Sequence, residues 1–192
     1  MEKCRPLTWT VVTLVTMVGV GCVSPSGGSE TDQRADILNE HERIVREFVA
    51  EHSFGQEAID NSVGYATMTN IQTQVLLVGG GNGYGVAVQT ADGSKTFMKS
   101  TELSGGPGLG VASYRSLLVF NDPVLFEDFL AGQWLFQAEA DATAKAGYAG
   151  GGAQATGEFN QPVAIFHMSG SGLQAKANLG GVKFSPDPVL NN

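Results

Sequence analysis

Cysteine is almost missing from this chain of 192 residues: Cys4 and Cys22 are the only two, both close to the amino terminus. Beyond Cys22 there is no thiol to make a disulfide, a thiolate metal site or a cysteine nucleophile. The three histidines are His41, His52 and His167, and the His41-Glu42 pair lacks the second histidine of a zinc-binding helix because position 45 is Val45. His167 lies in an apolar strand pattern and reads as a core or surface histidine. No G-x-S-x-G nucleophile elbow occurs. Basic residues are also sparse, 11 against 19 acidic, for a net charge of −8. Such a field disfavours a nucleic-acid partner.

A long hydrophobic run is missing as well. Leu7 to Val20 is mostly apolar and uncharged but falls short of the roughly 20 residues of a membrane span. With Lys3 and Arg5 ahead of it and small residues behind it, it reads as a cleaved signal over residues 1–21. Cys22 directly after Gly21 resembles the bacterial lipobox, whose cysteine is acylated and becomes the first mature residue; Gly19 stands where that pattern has an aliphatic. Residues 22–31, with Ser24-Pro25-Ser26-Gly27-Gly28-Ser29, read as a flexible tether. Residues 32–192 then form one domain with enough chain for a sizeable core. Val23 follows the cysteine where inner-membrane retention uses aspartate, so the expected location is the outer membrane, facing the periplasm.

Glycine is what the chain has in abundance. Ten of its 26 glycines fall between Gly79 and Gly110. No G-x-G-x-x-G occurs there: Tyr84 and Ser113 occupy the third glycine positions. Gly93-Ser94-Lys95-Thr96 lacks the glycine spacing and following helix of a phosphate loop. These glycines read as architectural, marking bulges, sharp bends and close backbone approach in strands. Asp92-Gly93 between alternating runs is a hairpin turn signal.

The rest of the chain falls into few elements. Thr31 to His52 is a helix, with Ser29 and Asp32 placed to cap it and Ile37, Leu38, Ile44, Val45, Phe48 and Val49 on one stripe. Its polar face is net acidic, the wrong sign for anionic headgroups, so the stripe is expected to dock on a sheet. Val63–Thr69, Thr73–Val78, Tyr84–Thr90, Lys95–Leu103 and Gly108–Asn121 read as successive strands, with turns at Thr69-Asn70 and Gly79–Gly83. Asp122-Pro123 starts a short helix, with Leu125, Phe126, Phe129 and Leu130 as its apolar face, that Gly132 stops. Trp134–Tyr148, a glycine and alanine hairpin at 149–157, Val163–Met168 and Gly172–Leu179 complete eight or nine strands. The fold class is α+β: a mainly antiparallel, strongly curved or barrel-like sheet with one N-terminal helix and one short internal helix.

Asp122, Glu127 and Asp128 on the short helix are ordinary partners of its dipole and make no catalytic pair. The chain is therefore read as non-enzymatic, without cofactor or metal. Lys95 and Lys99 flank Phe97 and Met98 near the expected hairpin tip, a candidate lipid contact with apolar groups between cations.

Gly79 to Gly85, then Leu103-Ser104-Gly105-Gly106-Pro107-Gly108-Leu109-Gly110, then a strand into Phe120-Asn121-Asp122 and a helix ending Phe129-Leu130-Ala131-Gly132, resemble in order and spacing the SYLF domain. Ser169 to Leu173 and Leu179 to Phe184 are similar to its closing strands. The family's tryptophan and proline after the first hairpin are replaced by Thr96-Phe97-Met98-Lys99. The resemblance spans residues 36–184 and implies non-catalytic binding of phospholipid or phosphoinositide-like lipid. Membrane lipids are the expected partner. The alternative is a structural role in the envelope, with a protein partner and membrane contact through the anchor alone.

Overall fold

The computed structural model describes residues 24–133, 135–137, 162–168 and 179–192. Its elements are α1 (Glu30–Glu51), α2 (Gly55–Asp60), β1 (Gly64–Gln89), β2 (Lys95–Phe120), α3 (Pro123–Leu130), β3 (Leu135–Gln137), β4 (Val163–Met168) and β5 (Leu179–Pro186). The fold is α+β with a five-stranded antiparallel sheet in the order β1-β2-β5-β3, β4 pairing β2. Among the described residues the pairings do not return to β1, and these strands do not form a closed barrel. Cys22 and the expected strands over 138–157 and 172–178 lie outside the described residues.

Each helix begins where the sequence supplies a cap. The Ser29 hydroxyl accepts from the Asp32 amide at 3.1 Å and starts α1. Glu30 and Thr31 belong to that helix, which shortens the expected tether, and the Ser26 amide donates to Asp36 Oδ2 at 2.8 Å. Asp122 caps α3 through the Val124 and Leu125 amides, and Gly132 ends it at φ 71°. The one-turn α2 was not expected: GQEAID has no side-chain cap and is held by burial of Ala58 and Ile59.

The larger correction concerns strand number. Three expected strands are a single 26-residue β1, and two more are a 26-residue β2. The expected turns at Thr69-Asn70 and Gly79–Gly83 are continuous strand, paired with Arg115-Tyr114 and Ser104–Ser100. Glycine there signals contact with another layer, not reversal. The long hairpin doubles back on itself, and a Cβ on Gly81, Gly83 or Gly85 would overlap the carbonyl oxygens of Ile71, Thr69 or Thr67.

α1 buries Ile37, His41, Ile44 and Phe48, the i, i+4, i+7 and i+11 positions of one face. Ile44 and Phe48 pack on Ile59, Leu117 and Val119, while Ile37 meets Val86, Phe97 and Leu190. On the other side, α3 sets Phe126 and Phe129 against Phe120, Met98, Ala66 and Phe184. Full burial of one such side chain contributes about 1.5–3 kcal/mol.

Residues 187–192 fasten these layers. Asn191 accepts from the Phe97 amide and donates to its carbonyl, both at 2.8 Å. Arg34 of α1 donates to the carbonyls of Leu190 and Asn192, each at 2.8 Å.

Candidate functional site

The site is the bend of the doubled hairpin. The register slips between Leu76 and Val78, and Leu76 sits at φ 58°, the left-handed region that costs a branched side chain roughly 1–2 kcal/mol. This turns both strands back at their midpoints. It leaves Leu76, Leu77, Val78, Leu103, Leu109 and Val111 between 67% and 84% exposed, with Val75 at 36%. Register sets two of them face to face, Val75 and Leu109, and places Val111 opposite Thr73 and Leu103 opposite Gly80 in the same bend. Seven aliphatic side chains gathered at one end mark an interaction site, where scattered single ones would not.

Behind this apex the interior is polar. Gln72 Nε2 donates to Ser104 Oγ at 2.8 Å, and Ser104 Oγ donates to Gln74 Oε1 at 2.9 Å. Ser100 Oγ donates to Asn70 Oδ1. All five residues are buried, and the ladder has space only because the facing positions are glycine: a Cβ on Gly79 would strike Gln74 and Ser104, and one on Gly83 would strike Asn70 and Ser100. Thr73 Oγ1 is buried without a hydrogen-bond partner. The hairpin interior is thus a hydrogen-bonded amide and hydroxyl spine, with the aliphatic side chains on its outer turn.

Charge is kept away from the apex. β1 contains no Asp, Glu, Lys or Arg, and β2 has none from Leu103 to Tyr114. The flanking charges are engaged: Glu102 Oε2 accepts from the Tyr114 hydroxyl at 2.7 Å, and Arg115 pairs with Glu47 of α1 at 2.6 Å.

The lipid contact expected at Lys95, Phe97, Met98 and Lys99 is not arranged as the sequence suggested. Phe97 and Met98 are buried at 9% and 1% exposure. Alternation places them on opposite faces, and both faces are covered: Phe97 packs with Ile37 and Leu190, and Met98 with Phe129 and Phe184. Lys99 Nζ pairs with Asp187 Oδ2 at 3.0 Å, so it fastens the C-terminal segment, while Lys95 is exposed beside the Asp92-Gly93 turn. Burial pushes the Asp187 carboxyl up, but Lys99 and the Val189 and Leu190 amides outweigh it and hold it below the usual range. The apex residues themselves escaped the sequence reading. The available signal was the uncharged VLLVGGG run, which reads as the end of a strand over Thr73–Val78 and the start of a turn.

The buried His41 ring stacks on Tyr65 with 5.6 Å between centroids, and its Nδ1 lies 2.9 Å from Thr67 Oγ1. Burial, helped by Lys95, lowers its pKa to about 4, so it is neutral at physiological pH. It belongs to the packing of α1 on β1. Among the described residues no three His, Cys, Asp or Glu side chains converge to hold a metal ion. No described helix is long and apolar enough to cross a membrane.

No family model matches the chain. Over 133 residues, 68% of this chain, it is 29% identical to the protein named Beta cell expansion factor A of Aeromonas veronii. It is similar to 48% of that relative, so the chain spans about half the length of the curated protein it matches.

Proposed function

We propose that this chain is a lipid-anchored protein of the bacterial cell envelope whose SYLF-like domain binds phospholipid without catalysis. The single observation that carries the reading is the aliphatic apex, a cluster of exposed side chains on strands that carry no charge there. Two features of the sequence support it: the lipobox-like Gly21-Cys22 after an apolar signal, and the glycine-bounded segments similar to the SYLF domain. The anchor holds the domain near a membrane and the apex supplies a second contact, so the two act together on one surface. The outer membrane, facing the periplasm, is the proposed location.

The test is flotation of the mature chain, from residue 22 on and carrying Cys22→Ser so that no acyl group is present, with phospholipid vesicles. The protein is expected to rise with the vesicles. A chain that stays at the bottom with every vesicle, yet retains a cooperative unfolding transition, refutes lipid binding by the domain. It leaves the envelope role to the anchor and a protein partner.

A further inference from the structure

We propose that the bend of the hairpin enters the acyl-chain region of the bilayer as an uncharged wedge, so that apolar burial and not headgroup charge holds the domain on the membrane. This rests on the phospholipid-binding reading and assigns its contact site and the part of the lipid it meets. The chemistry of the surface selects the occupant. An anionic headgroup calls for free cations, and none lies on β1 or between Leu103 and Tyr114 of β2. A specific protein interface uses roughly 20–30 residues a side, many of them polar, whereas this patch offers seven aliphatic side chains and no charge. Hydrocarbon is the environment in which such a patch is complementary.

The bend is also built to stay exposed. Its side chains have no room to withdraw, because the space behind them holds the Gln72–Ser104–Gln74 ladder and glycines that already meet the opposite layer. A bend alone is best served by glycine or asparagine in the left-handed region, yet position 76 carries leucine at φ 58° and 73% exposed. Strain of this kind persists where a side chain has a role at that place. The anchor fits the same picture: only seven residues separate Cys22 from α1 in the sequence, so an acylated cysteine holds the domain beside the membrane.

The experiment uses the mature Cys22→Ser chain, with and without Leu76→Asn together with Leu109→Thr. Asparagine accepts the left-handed backbone and threonine suits a strand, so the pair removes apolar surface without disturbing the fold. Binding is measured by sedimentation with vesicles of phosphatidylcholine alone and of phosphatidylcholine with phosphatidylglycerol, at roughly 0.05 and 0.5 M salt. The parent chain is expected to bind both vesicles with less than about a twofold change across the salt range. The double variant is expected to lose about tenfold or more in affinity while its unfolding midpoint holds or rises. Binding only to the phosphatidylglycerol vesicles, lost in high salt, overturns the wedge but keeps a phospholipid-binding domain. So does equal binding by parent and variant. A parent dimer in analytical ultracentrifugation that the double variant abolishes shows that a second copy covers the apex, which also overturns the proposal. A folded parent that binds no vesicle removes the underlying reading and the wedge with it.

Discussion

Gly85→Ala tests the doubled hairpin with a single methyl group. A Cβ at this position meets the Thr67 carbonyl oxygen and lies 2.6 Å from Met68 Sδ and 2.9 Å from the Thr67 carbonyl carbon. Two of the three atoms are backbone, so a rotamer change cannot relieve the overlap. Thr67 has little freedom to retreat, since its hydroxyl is bound to His41 Nδ1 at 2.9 Å and it is paired with Leu117. Overpacking of this kind costs about 1–3 kcal/mol, and the loss of glycine entropy in the unfolded chain returns about 0.4–1 kcal/mol. Because the overlap is with backbone, the cost lies near the top of that range, and the expected net loss is about 2 kcal/mol. Gly80→Ala is the internal control, because its Cβ has only the Glu102 carbonyl oxygen for company, at an ordinary 3.5 Å. That variant keeps the entropic gain without the clash and is expected to be stabilised by about 0.5 kcal/mol. At about 2–4 °C per kcal/mol for a chain of this size, calorimetry should place the two midpoints about 5–10 °C apart. Midpoints within about 1 °C of each other would refute the close approach of the two layers, and with it the geometry that presents the apex.

Three further expectations follow from particular residues. The folded chain keeps His41 neutral, with its pKa lowered to about 4 from 6.5, so its contribution to stability is complete above pH 6.5 and is lost as pH falls toward 4. The total is at most about 3 kcal/mol, and urea titrations between pH 6.5 and 5 should show His41→Gln with a flatter stability profile than the parent. Thr73→Val replaces a buried hydroxyl that has no partner with a methyl group; denaturant midpoints should show a gain of about 1 kcal/mol, and a loss would mean that the hydroxyl is bonded. Cys22→Ser should move the protein from the membrane fraction to the soluble fraction, and intact-mass spectrometry of the parent should show acyl chains on residue 22; a mass without them removes the anchor.

Of the helices, α1 and α3 were legible because their signals are local. Ser29 with Asp32, Asp122-Pro123 and Gly132 each fix a boundary through neighbours a few residues away. The strands over 163–168 and around the Asp92-Gly93 turn were legible through alternation for the same reason. The glycines were correctly read as close approach in principle. Where they occur misled the strand count, because a glycine that faces another layer leaves the same mark in a sequence as one that turns the chain. Phe97 and Met98 were misread because a sequence does not say that both faces of a strand are covered. One face is covered by α1 and Leu190, residues distant in the chain from both. The apex was hidden by the converse problem. Val75 to Val78 have the composition of a core strand, and only the register slip at Leu76 turns them out.

The contacts of residues 187–192 also set an order of events. Arg34 reaches carbonyls 156 and 158 residues further along the chain, and Asn191 occupies both backbone groups of Phe97, which is 94 residues before it. Contacts of such sequence separation form late, since the loop between them must close first. The first helix can pack Ile44 and Phe48 on Leu117 and Val119 earlier, but its bonds to Leu190 and Asn192 wait until the ribosome has released those residues. A chain with this wiring makes its last fastening of α1 to the sheet only when residues 187–192 are free to fold back on both.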